Sequence, residues 1–302
     1  MLLDRKMNIQ YSEFTDYLRQ RFPYFKTQKI SLNAGFICPN RDGTKGLGGC
    51  TYCNNQTFNP AYCYSDKSVT EQIREGVRFF SYKYPDMKYI AYFQAFTNTY
   101  GALETLKSKY EEALSMEGVV GLIIGTRPDC VSDELLDYLA VLQKNTFVMI
   151  EYGIESTLDE TLRRINRGHT YGEAEMAVVR TATREIPVGA HIILGFPGET
   201  REQILHHADR LATLPLTSVK LHQLQLIRET PMYQEYIQQP ELFQFPTLDA
   251  YIDLVIDFIR RLGNRIYLDR FVSQSPKSLL VAPAWGIKNH EFRARLEKKL
   301  TS

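Results

Sequence analysis

The sequence predicts an α/β protein, a partial (β/α)6 TIM-like barrel with N-terminal and C-terminal extensions, and two observations carry the prediction. Six short apolar or β-branched runs alternate with longer amphipathic stretches, the rhythm of strand–helix units around a parallel sheet. All but the first of these runs are nearly continuous in apolar residues, as expected of strands covered on both faces. Six units are too few to close the usual eight-unit barrel, so an open barrel with a lateral cleft is expected.

After an N-terminal extension (1–27), the first strand is expected at 29–33 (KISLN), followed by a glycine-rich loop and a helix over 68–83. Ser68 and Glu71 have the spacing of a capping box at the start of that helix. Strand 89–94 (YIAYFQ) leads into helix 102–116, and strand 118–125 (GVVGLIIG) into helix 132–144 behind Ser132. Strand 147–153 (FVMIEYG) precedes two helical stretches, 157–165 and 171–184. Strand 188–195 (VGAHIILG) leads to helix 200–213, where Thr200 and Gln203 match a second capping box, and strand 218–226 precedes helix 247–262. The barrel body thus spans 28–262. The remaining 263–302 should form an extension packed on the barrel edge, with a further short strand, the irregular run SQSPKSLLVAPAWGIKNHEF and a solvated amphipathic helix.

With 302 residues, 44% of them hydrophobic, the chain can bury a sizeable core. Its 36 basic and 35 acidic side chains leave a net charge of +1, so nothing global draws it to polyanions. No segment approaches the roughly 20 apolar residues that span a bilayer, so no membrane association is expected and a cytoplasmic location is. Five cysteines, three of them clustered, do not resemble a secreted disulfide framework. In a reducing compartment such a cluster more often binds metal.

Cys38, Cys50 and Cys53 stand in the pattern Cys-x11-Cys-x2-Cys just after the first strand, with Tyr52 before the last. Three thiolates rather than four suggest a centre with one open position. Gly43, Gly46, Gly48 and Gly49 supply the positive-φ freedom that an eleven-residue excursion needs to bring Cys38 back. Two other readings compete. One is a zinc-stabilised RNA-binding protein whose structural site is completed by Cys63, although zinc sites usually show two close ligand pairs and here only Cys50 and Cys53 are paired. The other is an electron carrier with a fourth ligand. Cys63 and Cys130 read as ordinary thiols. Glu155, at a buried strand end, would be costly unless paired, while Arg167 competes with a reading as a surface helix-end cation beside Arg163 and Arg164. His169, His191 and His222 read as satisfied polar residues, with His222 facing the cleft. Tyr52, Phe96 and Tyr100 fall where aromatics would line a ligand space.

Together these motifs resemble the radical S-adenosylmethionine (SAM) superfamily over roughly 28–225. Its signature is three cysteines, typically Cys-x3-Cys-x-aromatic-Cys; CTYC matches in full, whereas the first gap is eleven residues instead of three. Within the superfamily the chain most resembles a family allied to the elongator catalytic subunit and to oxygen-independent coproporphyrinogen oxidases, for which a long first gap is expected. The resemblance implies a 4Fe-4S cluster on Cys38, Cys50 and Cys53 that chelates SAM, cleaved reductively to a 5′-deoxyadenosyl radical that abstracts hydrogen from an unidentified substrate. An external one-electron reductant such as flavodoxin or ferredoxin is implied as well. GIES followed by LRRINRGHT places Glu155 and Arg167 at the methionine part of SAM, by the same resemblance. HIILGFPGET places Ile193, Gly195 and Glu199 in the adenine-flanking motif, with His191 where glycine or an acidic residue is usual. FQAFTNTY offers Gln94, Thr97 and Asn98 for the SAM amino group, and Tyr52 joins these as a cofactor contact. In GTRPDC, Gly125 stands where an acidic ribose-binding residue is common. Kinship points to either a tRNA base or a small carboxylated molecule as substrate, and Arg163, Arg164, Lys277 and Lys288 are the basic residues that RNA contact would need on one face.

Overall fold

A computed structural model describes residues 11–57, 59–81 and 86–301. The first ten residues of the N-terminal extension and the last two of helix 68–83 lie outside them. In chain order the elements are α1 (Phe14–Arg21), β1 (Thr27–Leu32), α2 (Val69–Ser81), β2 (Lys88–Phe93), α3 (Leu103–Leu114), β3 (Val119–Thr126), α4 (Asp133–Gln143) and β4 (Phe147–Glu155). Then come α5 (Asp159–Arg164), α6 (Tyr171–Ala182), β5 (Val188–Leu194), α7 (Arg201–Ala212), β6 (Ser218–Gln223), β7 (Leu226–Ile227) and α8 (Pro231–Gln238). The chain ends with α9 (Leu248–Leu262), β8 (Tyr267–Arg270), β9 (Leu280–Ala282) and α10 (Asn289–Thr301).

Seven strands form one parallel sheet in the order β1-β2-β3-β4-β5-β6-β8, curled into a half-barrel with helices around it. The six expected strand–helix units are all present. The short strand expected near the C-terminus is β8, and it extends the sheet to seven. β7 and β9 pair separately as an antiparallel ribbon.

Period-two alternation divides the sheet into an outer and an inner face. Ile30, Leu32, Phe93, Leu122, Ile124, Val148 and Ile150 belong to the large core that the sheet shares with its helices. The alternate residues Ile90, Tyr92, Ile123, Phe147 and Met149 form a second cluster with Phe14 and Leu18 of α1. Tyr17 packs against Phe147 and Tyr267, which begin β4 and β8, so α1 plugs the N-terminal mouth of the half-barrel. The opposite mouth stays open. Caps set the helices as their sequences dictate: Thr200 and Gln203 close a capping box on α7, Ser68 and Glu71 exchange bonds before α2, and Ser132 accepts from the Leu135 N–H.

The middle of the lumen is charged. Lys29 of β1 lies 3.2 Å from Glu151 of β4 and 2.8 Å from Asp269 of β8, and Lys220 of β6 lies 3.0 Å from Glu151 and 3.1 Å from Asp269. Two cations and two anions balance. Lys29 on the first strand can reach Asp269 on the last only because the sheet curls back on itself.

Candidate functional site

The C-terminal ends of the strands open onto one cavity, the edge where barrels of this kind carry chemistry. Cys38, Cys50 and Cys53 line it, together with Tyr52, Gln94 and Thr97. Glu155, Arg167, His191 and Ile193 meet there too, whereas Glu199 of the expected adenine-flanking motif lines a separate cavity. Asn98 lines neither. It is fully buried, with Nδ2 donating to the carbonyls of Phe93 (3.1 Å) and Gly125 (2.8 Å), and so laces together the ends of β2 and β3. Gly195 (φ +100°) lines the second cavity with Phe196, Tyr251 and Trp285.

The cysteine loop is stitched to the turn that follows α5. Buried Asn40 donates through Nδ2 to the carbonyls of Asn166 and Arg167 (3.0 Å for the latter) and lies 3.6 Å from Cys50 Sγ. Asn166 donates to the Gly49 carbonyl at 2.9 Å, and the Thr51 N–H donates to the Ile165 carbonyl at 3.0 Å. Gly168 (φ +76°) permits this turn, since a Cβ there would meet Asn40 Oδ1 at 2.6 Å. The stitching seats Arg167 beside the loop, its Nη1 3.6 Å from Cys50 Sγ.

Arg167 is therefore buried and is no surface helix-end cation; Arg164, paired with Glu235 at 2.7 Å, has that role. The Arg167 guanidinium donates to the Gly153 carbonyl (2.6 Å), lies 3.7 Å from Glu155 and keeps a buried Nε with no partner. A register shift between Gly153 and Glu155 ends β4, and Glu155 takes φ +70°. Phe96, past the end of β2, has φ +63° and also lines the cavity. A left-handed conformation at a non-glycine residue costs on the order of 1–3 kcal/mol, so the fold holds both side chains at the cavity against local preference.

Arg127 escaped the sequence reading. It is 2% exposed, lines the cavity with Nη1 3.9 Å from Cys38 Sγ, and forks onto Asp129 with two 2.9 Å bonds. Burial works to raise the Asp129 carboxyl, but Arg127 and Lys45 hold it well below the usual range. The signal was the GTRPDC segment, where attention to Gly125 passed over the arginine. A Cβ on Gly125 would stand 3.1 Å from the Phe93 carbonyl, a tight contact that a side chain at that position would have to relieve.

Arg41, whose Nη2 donates to the Cys53 carbonyl at 3.2 Å, adds a third guanidinium to the loop. Cations beside sulfur favour thiolate. Burial and the neighbouring Cys50 nonetheless push Cys53 up to about 11, and a bound metal would favour its thiolate. Burial raises Cys63 and Cys130 to about 12; neither lines the cavity, and Cys63 belongs to the hydrophobic core. Among the described residues no three His, Cys, Asp or Glu side chains converge tightly enough to hold a single metal ion.

The charged lumen forms the floor. The Tyr92 hydroxyl donates to Glu151 at 2.8 Å and the His191 ring donates through Nε2 at 2.7 Å. Burial would raise Glu151, but Lys220 and Lys29 hold it well below the carboxylate range; burial and Lys220 lower His191. Burial and Arg167 lower His169 to about 3, which leaves it neutral. On the upper wall Tyr52 packs on Phe196 with ring centres 5.5 Å apart.

Comparison with known proteins follows the same lines. A family model described as "Radical SAM superfamily" matches residues 35–211, and one described as "Radical_SAM C-terminal domain" matches 216–302. The chain is 34% identical over 291 residues to YtqA of Bacillus subtilis (strain 168), covering 96% of this chain and 89% of that protein. It is 33% identical over 261 residues to YhcC of Escherichia coli (strain K12), covering 86% and 82%. In fold it is similar to the archaeal Methanocaldococcus infernus Elp3 with an N-terminal deletion (TM-score 0.68, 15% identity, 92% of this chain and 63% of that one). It is also similar to coproporphyrinogen III oxidase (HemN) from Escherichia coli (TM-score 0.51, 14% identity, 84% and 57%).

Proposed function

The chain belongs to the radical SAM superfamily, and we propose that it is an enzyme in which Cys38, Cys50 and Cys53 hold a 4Fe-4S cluster with one iron left for SAM. The observation that carries the reading is that three thiols, with Arg41, Arg127 and Arg167 beside them, line the same cavity as Glu155. A negatively charged thiolate cluster suits such a guanidinium-rich wall. When bound, such a cluster would supply the one electron that splits SAM into methionine and a 5′-deoxyadenosyl radical able to take a hydrogen atom from a substrate.

In this reading Arg167 and Glu155 orient the methionine part of SAM. The guanidinium of Arg167 offers its unused buried Nε–H and its charge to a carboxylate, while Glu155 and Gln94 accept from an ammonium. Tyr52 and Ile193 wall the adenine space, and the Lys29–Glu151–Lys220–Asp269 network fixes the floor of the cavity. The substrate is a small molecule or a tRNA base. An external one-electron donor of the flavodoxin or ferredoxin type supplies the electron. Among the described residues no helix is long and apolar enough to cross a membrane.

Anaerobic reconstitution with iron and sulfide, followed by reduction in the presence of SAM, tests the proposal. It expects about four irons per chain by the cluster type assumed and release of 5′-deoxyadenosine. A fully occupied cluster that binds no SAM would sink it.

A further inference from the structure

Five cations line the cavity: Arg41, Arg127, Arg167, Lys220 and Arg270. Arg127 is paired with Asp129, Arg167 with Glu155, and Lys220 with Glu151 and Asp269. Arg41 lies on the cysteine loop, where thiolate charge would face it. Arg270, at the end of β8, is the exception. Among the described residues no carboxylate stands within ion-pair distance of it.

Its neighbours are donors or neutral. His222 Nδ1 is hydrogen-bonded to the Ser273 hydroxyl, and Nη2 of Arg270 lies 3.5 Å from the same Nδ1 and 3.4 Å from that hydroxyl, while the Arg270 Nε is buried without a partner. A guanidinium can only donate, so the tautomer that suits both neighbours has Nδ1 accepting, from the Ser273 hydroxyl and from Arg270. Burial, with Arg270 beside the ring, drives His222 strongly to its neutral form. In that tautomer the ring proton is on Nε2, which is likewise buried and unpartnered. Two donors, one of them charged, are left without an acceptor on one wall.

That wall is fixed before any ligand arrives. The Ser273 N–H donates to Gln223 Oε1 at 2.6 Å, Gln223 Nε2 donates back to the Ser273 carbonyl at 2.9 Å, and the Ser275 hydroxyl donates to Gln225 at 2.7 Å. His222 is further held against His191, ring centres 5.3 Å apart. Preorganised donors around an unpaired guanidinium match a planar or tetrahedral oxyanion. Arg127, Arg167 and Lys220, by contrast, each have a carboxylate partner at this cavity.

We propose that Arg270 and His222, the latter positioned by Ser273, form an oxyanion subsite that grips a carboxylate or phosphate group of the substrate and so orients the reacting carbon. That the occupant is a substrate rests on the enzymatic reading above, while occupancy of the subsite is testable without it. Phenylglyoxal, which modifies free guanidinium groups, is applied to the full-length metal-free chain, and modification of each arginine is followed by peptide mass mapping with sodium acetate or inorganic phosphate as probe. Arg270 should react faster than the paired Arg127 and Arg167. At a probe concentration ten times its Kd, mass action should slow Arg270 roughly tenfold, with surface Arg21 unchanged. Protection by acetate alone assigns a carboxylate, by phosphate alone a phosphate, and by both an oxyanion site indifferent to shape. The proposal is overturned if Arg270 reacts no faster than the paired arginines, if neither probe protects it, or if Arg21 is slowed equally. Intact protection in a chain whose reconstituted cluster fails to cleave SAM would instead overturn the proposed function and leave the subsite standing.

Discussion

Replacing Glu151 by glutamine should destabilise the protein more than any loss of packing at that site would suggest. Glu151 accepts from Lys29, Lys220, Tyr92 and His191, all within 3.2 Å, and its side chain is 2% exposed. Glutamine keeps the size but removes the charge, leaving two buried ammonium groups to share Asp269. Removing one partner of a buried ion network costs about 3–5 kcal/mol, because a charge is left uncompensated in low dielectric. For a chain of this size about 2 °C of melting temperature accompanies each kcal/mol, which gives a drop of about 6–10 °C. Thermal unfolding of the metal-free protein followed by circular dichroism measures it. The double variant Glu151→Gln with Lys220→Met restores neutrality, with Lys29 facing Asp269, and should recover more than half of the loss. A single variant within about 1 kcal/mol of the wild type, or a double variant no more stable than the single, would refute the charge-balance argument. The same network sets an acid limit. Glu151 and Asp269 are held below their unfolded values, Asp269 at about 2, despite burial that raises both, by Lys29 and Lys220. In the window below the unfolded carboxylate range near 4, the unfolded chain binds more protons than the folded one. Stability from these groups is therefore complete above about pH 4 and is lost as pH falls toward 2, and Glu151→Gln should flatten that part of the pH–stability curve.

Three further outcomes are expected. Cys38→Ala, Cys50→Ala and Cys53→Ala should each lose iron and acid-labile sulfide after reconstitution while Cys63→Ala retains them; a full complement in any of the first three would exclude that thiol as a ligand. Arg167→Lys should weaken SAM binding to the reconstituted protein by about 10- to 100-fold, the worth of one charge-assisted hydrogen bond of about 1.5–3 kcal/mol, and equilibrium dialysis showing an unchanged Kd would remove Arg167 from the methionine site. Gly168→Ala puts a Cβ 2.6 Å from Asn40 Oδ1 at φ +76°. It should cost on the order of 1–2 kcal/mol from the left-handed backbone alone and loosen the cysteine loop, seen as incomplete cluster incorporation at equal protein recovery.

What the sequence disclosed and what it hid divide along the range of the interactions. Capping boxes at Thr200 and Ser68, the six strand–helix units and the cysteine pattern are local, and each stands where it was expected. The plug formed by α1 was not read, because eight residues of modest amphipathicity gain their stability from Phe147 and Tyr267, far away in the chain. The charged lumen was hidden for a similar reason. Lys29, Glu151 and Lys220 each sit in a run dominated by apolar residues, and only the register shows that they face one another.

The missing signal was recoverable from the motifs themselves. His191 pairs in register with Gly153 and with Lys220, and Ile193 pairs with His222. Once Ile193 is set facing the ligand space, the period of two carries His191 to the same face, and the register carries that face to Lys220 and His222 on β6 and to Glu151 and Gly153 on β4. A motif residue on each strand therefore fixes not only its own contact but the polarity of the whole inner wall. Seen this way, three charged residues embedded in apolar strands cease to be exceptions to a core pattern and become the floor of the site. Arg270 joins that wall through the register shift between Val219 and Lys220, which skips Asp269 and pairs Lys220 with Arg270 across β6 and β8. The charge left unmatched in that wall is a property of the strand register, and it is the register that directs it at whatever the cavity receives.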